Sequence, residues 1–209
     1  MEDELLKIFD EDKNFLGVAT REEIHKLGHW HETFHCWFIG SDHGENYIYL
    51  QLRSDAKKDY PSLLDITAAG HILSNETVED GIREVEEELG IKVPFHQLNS
   101  IGVIGYTIIS DKLIDREFAH TFVYRSFSSL DEFNPQLEEV AGIVRTEFRA
   151  FADLWRGRED EIKVEGVKFD DQGNSSSYIR TVGKESFVPH PSAYFEAIIK
   201  GIDELLEME

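Results

Sequence analysis

The chain has 209 residues, 41 % of them hydrophobic, and this composition is typical of an ordinary globular domain rather than a disordered chain. Its 42 acidic residues outnumber its 21 basic ones, so the formal net charge of −21 disfavours binding to nucleic acid polymers or anionic membranes. A single cysteine, an acidic start without a signal peptide and no membrane-length apolar run lead us to expect a cytoplasmic protein.

The first half of the chain alternates short apolar strands with helical segments and polar turns. In chain order we predict a hairpin at 5–21 with DEDKN as its turn, a short helix at 21–28, strands at 32–40 and 47–53 around the turn SDHGEN, a strand at 63–70 that runs into a loop, and a helix at 77–89.

The second half is richer in strands. In chain order we predict strands at 100–109, 117–127 and 142–151, a hairpin at 164–180 around DDQGN, and an amphipathic helix at 191–206. Because strands and helices are mixed along the chain, the pattern favours an α/β or α+β fold with a mixed sheet. We predict a single domain over residues 1–209, with a hairpin extension at about 1–30 and a C-terminal helix at about 190–209.

Residues 77–89 form the strongest helix prediction of the first half. At about 100° per residue, the apolar side chains fall on one stripe that should be buried, made of Val78, Ile82, Val85 and Leu89. A second stripe, away from the first, gathers three carboxylates: Glu84, Glu87 and Glu88. Such a group either binds a hard divalent cation or is a solvated acidic face. Arg83 is expected to point elsewhere, within reach of Glu79.

The segment GHILSNETVEDGIREVEEELGI, residues 70–91, resembles the Nudix box. That pattern is Gly, five residues, Glu, seven residues, then Arg-Glu-apolar-any-Glu-Glu-any-Gly-apolar, and the second half matches at every specified position. In the first half only six residues separate Glu76 from Arg83. Either Glu76 takes the place of the first glutamate across a shortened junction, or Asn75 occupies that position.

The resemblance implies a Nudix fold, in which a mixed sheet lies between helices, and a hydrolase that acts on diphosphates linked to another moiety. It implies Glu84, Glu87 and Glu88 as ligands of Mg²⁺ or Mn²⁺, which would neutralise phosphate oxygens and prepare a water for attack. A small-molecule diphosphate is the expected partner, and a nucleoside diphosphate derivative is favoured over a prenyl diphosphate. The C-terminal helix should pack on the core, with a homodimer contact as the alternative.

A wider likeness, over about residues 7–150, is to isopentenyl-diphosphate isomerase and its hydrolase relatives. It implies that Arg53 and Lys57, with Lys58 beside it, grip the diphosphate. It also implies a metal site built from backbone and side-chain ligands on several elements, namely Gly70, His71, His31, Asp115 and Glu117, with His25 as the nearest further histidine. Imidazole and carboxylate together suit Mn²⁺ or Zn²⁺.

One position separates the chain from the isomerases, which need a cysteine immediately before the Gly-His pair. Ala69 stands there and has no proton to exchange, and Cys36 on another strand is no obvious substitute. We therefore favour hydrolysis, with an isomerase and a non-catalytic diphosphate-binding regulator as alternatives.

Two further assignments are open at the level of sequence. The general base could be one of the helix carboxylates already named (Glu84, Glu87 or Glu88) or a later acid, Glu139 or Glu117. A structural zinc site made of His29, His31, His35 and Cys36 is disfavoured, because no second ligand cluster of the CxxC type accompanies it.

Overall fold

The computed structural model describes residues 4–110, 113–125, 130–170 and 172–208, which form one mixed sheet with helices against it. The strands of this part are β1 (Leu5–Phe9), β2 (Phe15–Thr20), β3 (Trp30–Asp42), β4 (Glu45–Arg53), β5 (Leu64–Asp65), β6 (Ala68–His71), β7 (Asn99–Ile109), β8 (Ile114–Arg125), β9 (Val140–Glu147), β10 (Ile162–Phe169) and β11 (Ser175–Val182). The α-helices are α1 (Arg21–Leu27), α2 (Arg83–Leu89), α3 (Phe148–Trp155) and α4 (Ser192–Glu207).

Strand β3 is the centre of the sheet because it pairs with several strands along its length. The main path runs β11–β10–β9–β4–β3–β1–β2, with β5 beside β4, β6 and β8 beside β3, and β7 beside β8. All of these pairs are antiparallel except β3 with β8, which is parallel. The mixed sheet predicted from the sequence is therefore confirmed.

Helices cover both faces of the sheet, as the resemblance implied. Successive side chains of β3 point to opposite faces, so Trp37 lies in one hydrophobic core and Phe38 in the other. The first core packs the sheet against α3 and α4, while the second packs it against α2, through Val85 and Leu89. Among the described residues, no helix is long and apolar enough to cross a membrane.

The helix predicted at 77–89 is shorter than expected, because α2 begins only at Arg83 and a 3₁₀ turn, Asp80–Ile82, precedes it. The Asp80 carboxylate accepts hydrogen bonds from the backbone N–H and the hydroxyl of Thr77, which holds the entry as a turn. A Cβ on Gly81 would lie 2.7 Å from the Cβ of Phe34, so the entry packs directly on β3.

Other differences concern where elements begin and end. The strand predicted at 142–151 stops at Glu147, where α3 begins, and the one predicted at 63–70 is divided into β5 and β6. Strand β8 begins at Ile114 rather than at 117, and the last two residues of the predicted strand, 126 and 127, lie outside the described residues. Both hairpins and the short helix α1 form where they were predicted.

Candidate active site

A cleft of about 760 Å³ lies between α2, the loop after β4, strands β7 and β8, and the segment that precedes α4. Every site residue that the sequence predicted lines this cleft except His31, which is fully buried. Two groups of side chains face one another there. We call them the α2 carboxylates, which are Glu84, Glu87 and Glu88, and the histidine cluster, which is His25, His31, His71, Asp115 and Glu117.

The α2 carboxylates differ in burial, although they share one stripe of the helix. The side chain of Glu88 is buried and that of Glu84 is only 12 % exposed, whereas that of Glu87 is 53 % exposed. Burial raises the pKa of Glu84 to about 7 and that of Glu88 to about 8, because a carboxylate loses solvation inside the protein. A solvated acidic face is therefore the wrong description of Glu84 and Glu88, and a cation beside them would favour their ionised forms.

Arg83 does not point away toward Glu79, as the sequence had suggested. Its Nε donates to Glu76 Oε1 at 2.7 Å, and its Nη1 donates to Glu84 Oε1 at 2.6 Å and to Glu87 Oε2 at 3.0 Å. Its Nη2 donates to the backbone oxygen of His71 at 3.0 Å and to Glu76 Oε2 at 3.1 Å. One guanidinium thus holds the helix, the preceding loop and β6 together.

The Arg83 contacts settle which residue takes the place of the first glutamate of the box. Glu76, and not Asn75, pairs with Arg83 despite the shorter spacing. Burial opposes ionisation of Glu76, but the hydrogen bonds from Arg83 lower the pKa of this carboxyl below its ordinary value. A 3₁₀ turn has fewer residues per turn than an α-helix. The turn Asp80–Ile82 therefore accommodates the spacing between Glu76 and Arg83, which is one residue shorter than in the box.

Strand β6 presents its backbone to the α2 carboxylates at Gly70. A Cβ at this position would overlap the carboxylate of Glu84, so glycine leaves the space in which this carboxylate lies against the strand. The neighbouring backbone N–H of Ala69 donates to Glu88 Oε2 at 3.0 Å, and Gln51 Nε2 donates to the same oxygen at 3.1 Å. Both bonds fix the carboxylate of Glu88 against the sheet.

The predicted diphosphate contacts lie at the other side of the cleft, at the end of β4 and in the loop that follows. Arg53 donates to Asp65 Oδ2 at 2.8 Å and to the backbone oxygens of Asp59 at 2.8 Å and Tyr60 at 3.1 Å. These three bonds order the loop that contains Lys57 and Lys58. Lys57 itself forms an ion pair with Glu139, which precedes the neighbouring strand β9, so a predicted diphosphate contact and a predicted general base touch one another.

The histidine cluster brings together ligand atoms that the chain itself leaves unpaired. Nε2 of His25 and Nε2 of His31 lie 3.5 Å and 3.6 Å from Asp115 Oδ1, too far for hydrogen bonds. All three atoms are buried and have no hydrogen-bond partner within the described ranges. Candidate ligand atoms of His25, His31 and His71 lie within 4.8 Å of one another, as do those of His31, Asp115 and Glu117.

Burial and hydrogen bonds determine the charge of three members of the histidine cluster, namely His31, His71 and Glu117. Burial lowers the pKa of His31 and lowers that of His71 well below its ordinary value, which leaves both rings neutral at neutral pH. Burial alone would raise the pKa of Glu117, but hydrogen bonds from His35 and Tyr106 outweigh it and hold this pKa well below its usual range. Neutral imidazoles beside ionised carboxylates are a donor set that divalent transition metals bind.

The alternative zinc grouping of His29, His31, His35 and Cys36 does not form. Cys36 lies in the core that packs against α2, on the face of β3 opposite His35, and burial raises the pKa of its thiol. It is therefore also no substitute for the cysteine that the isomerases place before the Gly-His pair.

Comparison with known proteins agrees with this geometry. The family model of the NUDIX domain matches residues 15–167, which is most of the chain. An uncharacterized Nudix hydrolase of Clostridium acetobutylicum is 35 % identical over 202 residues, which are 97 % of this chain and 98 % of that protein. The chain belongs to the Nudix family. As a Nudix hydrolase it is an enzyme that acts on diphosphate bonds, and such hydrolases generally need divalent metal ions.

Two further similarities place this Nudix hydrolase among its relatives. Isopentenyl-diphosphate Delta-isomerase 2 of Photorhabdus laumondii is 30 % identical over 124 residues, 59 % of this chain and 67 % of that protein. The crystal structure of DR0079 from Deinococcus radiodurans matches with a TM-score of 0.55 and 20 % identity, over 74 % of this chain and 90 % of that one. The second likeness is one of fold alone.

Several residues of this Nudix site were missed by sequence reasoning. Tyr106, His35, Asp65 and His190 all line the cleft and are hydrogen-bonded to one another or to predicted residues. His35 could have been found, since the residues at positions 31, 33 and 35 of a strand share one face. His190 had no such signal, because it lies outside residues 7–150, over which the sequence analysis found the likeness to the isomerases and their hydrolase relatives.

Proposed function

We propose that this Nudix hydrolase cleaves a diphosphate linkage in a small molecule, using Mg²⁺ or Mn²⁺ held by the α2 carboxylates. The observation on which the proposal depends is the burial of Glu84 and Glu88 beside one cleft with raised pKa values, because a cation bound there would lower these pKa values and stabilise the ionised forms. Oxygen-rich groups of this kind suit hard cations. When bound, the metal would neutralise phosphate oxygens and lower the pKa of a water.

The protein's own side chains would position the ions and the substrate. Arg83 holds Glu84 and Glu87 in place and, with Glu76, fixes the backbone of His71 beside them. Lys57 would exchange its ion pair with Glu139 for the phosphate oxygens of the substrate. We propose that Arg53 acts mainly by ordering this loop, since three of its five N–H groups already donate within the protein.

The same exchange favours Glu139 as the general base. Once Lys57 turns to the phosphate, the carboxylate of Glu139 is released at the cleft and can accept a proton from water. Glu117 is less suited, because Tyr106, Thr33 and His35 all hydrogen-bond to its Oε2 and stabilise the ionised form. Replacement of Glu139 by Gln tests the assignment, with Glu138→Gln as the control in the same loop.

The histidine cluster supports a second candidate function, isomerisation of isopentenyl diphosphate. The named isomerase relative and the five grouped ligands favour it. Ala69 argues against it, since its methyl group cannot exchange a proton with a carbon atom. We therefore place it second to hydrolysis.

The deciding experiment is a substrate panel with purified protein and Mg²⁺ or Mn²⁺. It should contain nucleoside diphosphate derivatives, prenyl diphosphates and isopentenyl diphosphate, with phosphate release and isomer ratio measured. We expect metal-dependent release of a monophosphate or phosphate, with nucleoside diphosphate derivatives as the better class. If no member is hydrolysed, the regulator alternative replaces the proposal, and isomerisation without hydrolysis would favour the isomerase.

A further inference from the structure

A buried pair of residues, Asp65 and His190, lies in the cleft and belongs neither to the α2 carboxylates nor to the histidine cluster. Asp65 ends the short strand β5, and His190 lies two residues before α4, beyond the part of the chain that the family model matches. His190 Nε2 lies 2.9 Å from Asp65 Oδ1, and the two side chains are only 8 % and 7 % exposed. The C-terminal segment thus places an imidazole within the active-site cleft.

The protonation of this pair follows from its surroundings. Burial would raise the pKa of Asp65, but the hydrogen bond from His190 and the charge of Arg53 lower it to about 2. An ionised carboxylate can only accept hydrogen bonds. Nε2 of His190 therefore carries a hydrogen and donates a hydrogen bond to Asp65. Nδ1 is therefore the ring nitrogen of His190 that Asp65 leaves without a partner among the residues that the structure describes.

Nδ1 of His190 is buried and has no hydrogen-bond partner in the described part of the chain. Two hydroxyl-bearing rings lie close, those of Tyr106 and Tyr194, with centroids at 5.6 Å and 5.0 Å from the imidazole. The hydroxyl of Tyr106 donates its hydrogen bond to Glu117 Oε2 at 2.6 Å. This hydroxyl therefore does not donate to His190.

The proton of Tyr194 is committed as well. Trp37 Nε1 can only donate, and it donates to the Tyr194 oxygen at 3.2 Å. His35 Nε2 lies 3.1 Å from Glu117 Oε2, which can only accept, so this ring bears its hydrogen on Nε2 and presents Nδ1 to the Tyr194 hydroxyl at 2.8 Å. Both neighbouring hydroxyls are thus used, and Nδ1 of His190 is left as an acceptor within the cleft.

We infer that His190 determines specificity: its Nδ1 accepts a hydrogen bond from a hydroxyl or amine on the non-phosphate half of the substrate whose hydrolysis is proposed above. A hydrocarbon chain in the same place would bury this acceptor unpaired, and a buried polar group without a partner is costly. Asp65 connects the two halves of the site, because the same carboxylate binds Arg53, which orders the loop of Lys57. The substrate class is thus a diphosphate with a polar second half.

The test compares ADP-ribose, whose second half bears hydroxyls, with geranyl diphosphate, whose second half is a hydrocarbon. His190→Phe keeps a ring and removes both nitrogens, whereas His190→Lys keeps a donor for Asp65 and has no acceptor. His96→Phe is the control, because His96 is exposed and does not line the cleft. The readouts are kcat/KM with Mg²⁺ and the Kd of each compound in a Glu87→Gln background that slows turnover.

We expect both His190 variants to lower the preference for ADP-ribose over geranyl diphosphate by about tenfold, the size of one hydrogen bond. Wild-type protein that prefers geranyl diphosphate would overturn the inference and leave diphosphate hydrolysis intact. Equal losses on both compounds in His190→Phe, restored by His190→Lys, would show that His190 only supports Asp65 and would also overturn it. Failure of the wild type on every diphosphate would instead remove the proposed function itself.

Discussion

The α2 carboxylates and the histidine cluster lie in one cleft, yet they hold their charges in different ways. Two acids on α2, Glu84 and Glu87, pair with the permanently charged guanidinium of Arg83, and burial raises the pKa values of Glu84 and Glu88. In the histidine cluster, neutral rings of His31 and His71 lie beside carboxylates, and buried ligand atoms have no hydrogen bonds. A bound cation would stabilise the ionised forms of the α2 carboxylates, whereas the histidine cluster offers unpaired ligand atoms.

This contrast indicates that the two groups should prefer different cations. Oxygen-only groups favour Mg²⁺, whereas mixed imidazole and carboxylate groups favour Mn²⁺ or Zn²⁺. Arg83 also connects the two groups, because it donates to the backbone oxygen of His71 as well as to Glu84. Substitutions in one group at a time will show which of the two groups supports hydrolysis.

The largest effect is expected from Glu87→Gln. Loss of this charge removes one proposed oxygen ligand, and we expect kcat to fall by about a thousandfold or more, as for other removed electrostatic contacts in active sites. Glu86→Gln is the matched control, since both side chains are 53 % exposed on the same helix and Glu86 forms its ion pair with Lys92, at the surface and away from Arg83. Equal rates in both variants would contradict the metal assignment, provided their circular dichroism matches the wild type.

The next effect concerns the histidine cluster. Replacement of His25 by Gln removes one unpaired ligand atom, and we expect the affinity for Mn²⁺, measured by electron paramagnetic resonance titration, to fall at least about tenfold. His43→Gln serves as the control, because that side chain is 97 % exposed. An unchanged Mn²⁺ affinity would show that the cluster is a structural group of polar side chains.

A smaller effect is expected on the stability of the metal-free protein. The pKa of Glu88 is about 8 in the folded state against an ordinary value of 4.5, so the folded protein holds a proton that the unfolded chain releases between these pH values. Stability should therefore fall as pH rises from about 4.5 to 8.

Glu88→Gln removes this dependence on pH. We expect the variant to melt about 3–6 °C higher than the wild type at pH 8 in a chelator, and at nearly the same temperature at pH 4.5. Thermal melts followed by circular dichroism measure the difference, and Glu86→Gln is again the control. Identical melting temperatures at pH 8 would show that Glu88 is already ionised without a metal.

The smallest effect on hydrolysis is expected from Ala69→Cys. Ala69 is half-buried and contributes a backbone N–H to Glu88, which a cysteine retains. We expect the hydrolysis rate to stay within about threefold of the wild type, since the substitution adds a single sulfur atom to the side chain and leaves the backbone unchanged. A gain of isomerisation without loss of hydrolysis would show that the cluster supports both reactions. A large loss of hydrolysis would mean that the space beside Ala69 is required by the substrate.

The sequence could predict the α2 carboxylates because helical periodicity is a local property of the chain. Val85 and Leu89 are buried and Glu84 faces the cleft, as the stripe analysis required. The same analysis placed Arg83 wrongly, since its partner Glu76 lies outside the regular helix, across a 3₁₀ turn. The 3.6-residue period of an α-helix does not predict side-chain directions in a 3₁₀ turn that precedes the helix.

The contacts that shape the rest of the cleft could not be derived from local patterns. Asp65 and His190 are 125 positions apart, and Glu117 meets Thr33 across 84 positions. These pairs depend on the order of the strands and on the docking of α4, and neither is set by neighbouring residues. The resemblance supplied the members of the histidine cluster, while the structure supplied their unpaired atoms.

The parallel pairing of β3 with β8 restricts how this protein can change in length. His31 lies opposite Glu117 in that pairing, and Thr33 and His35 reach the same carboxylate from the next positions on their face. A one-residue insertion between Glu117 and Thr121 would turn the following side chains to the opposite face of the sheet. We therefore expect natural indels to collect in the connections at either end of β8, and the strand interior to keep a constant length through divergence.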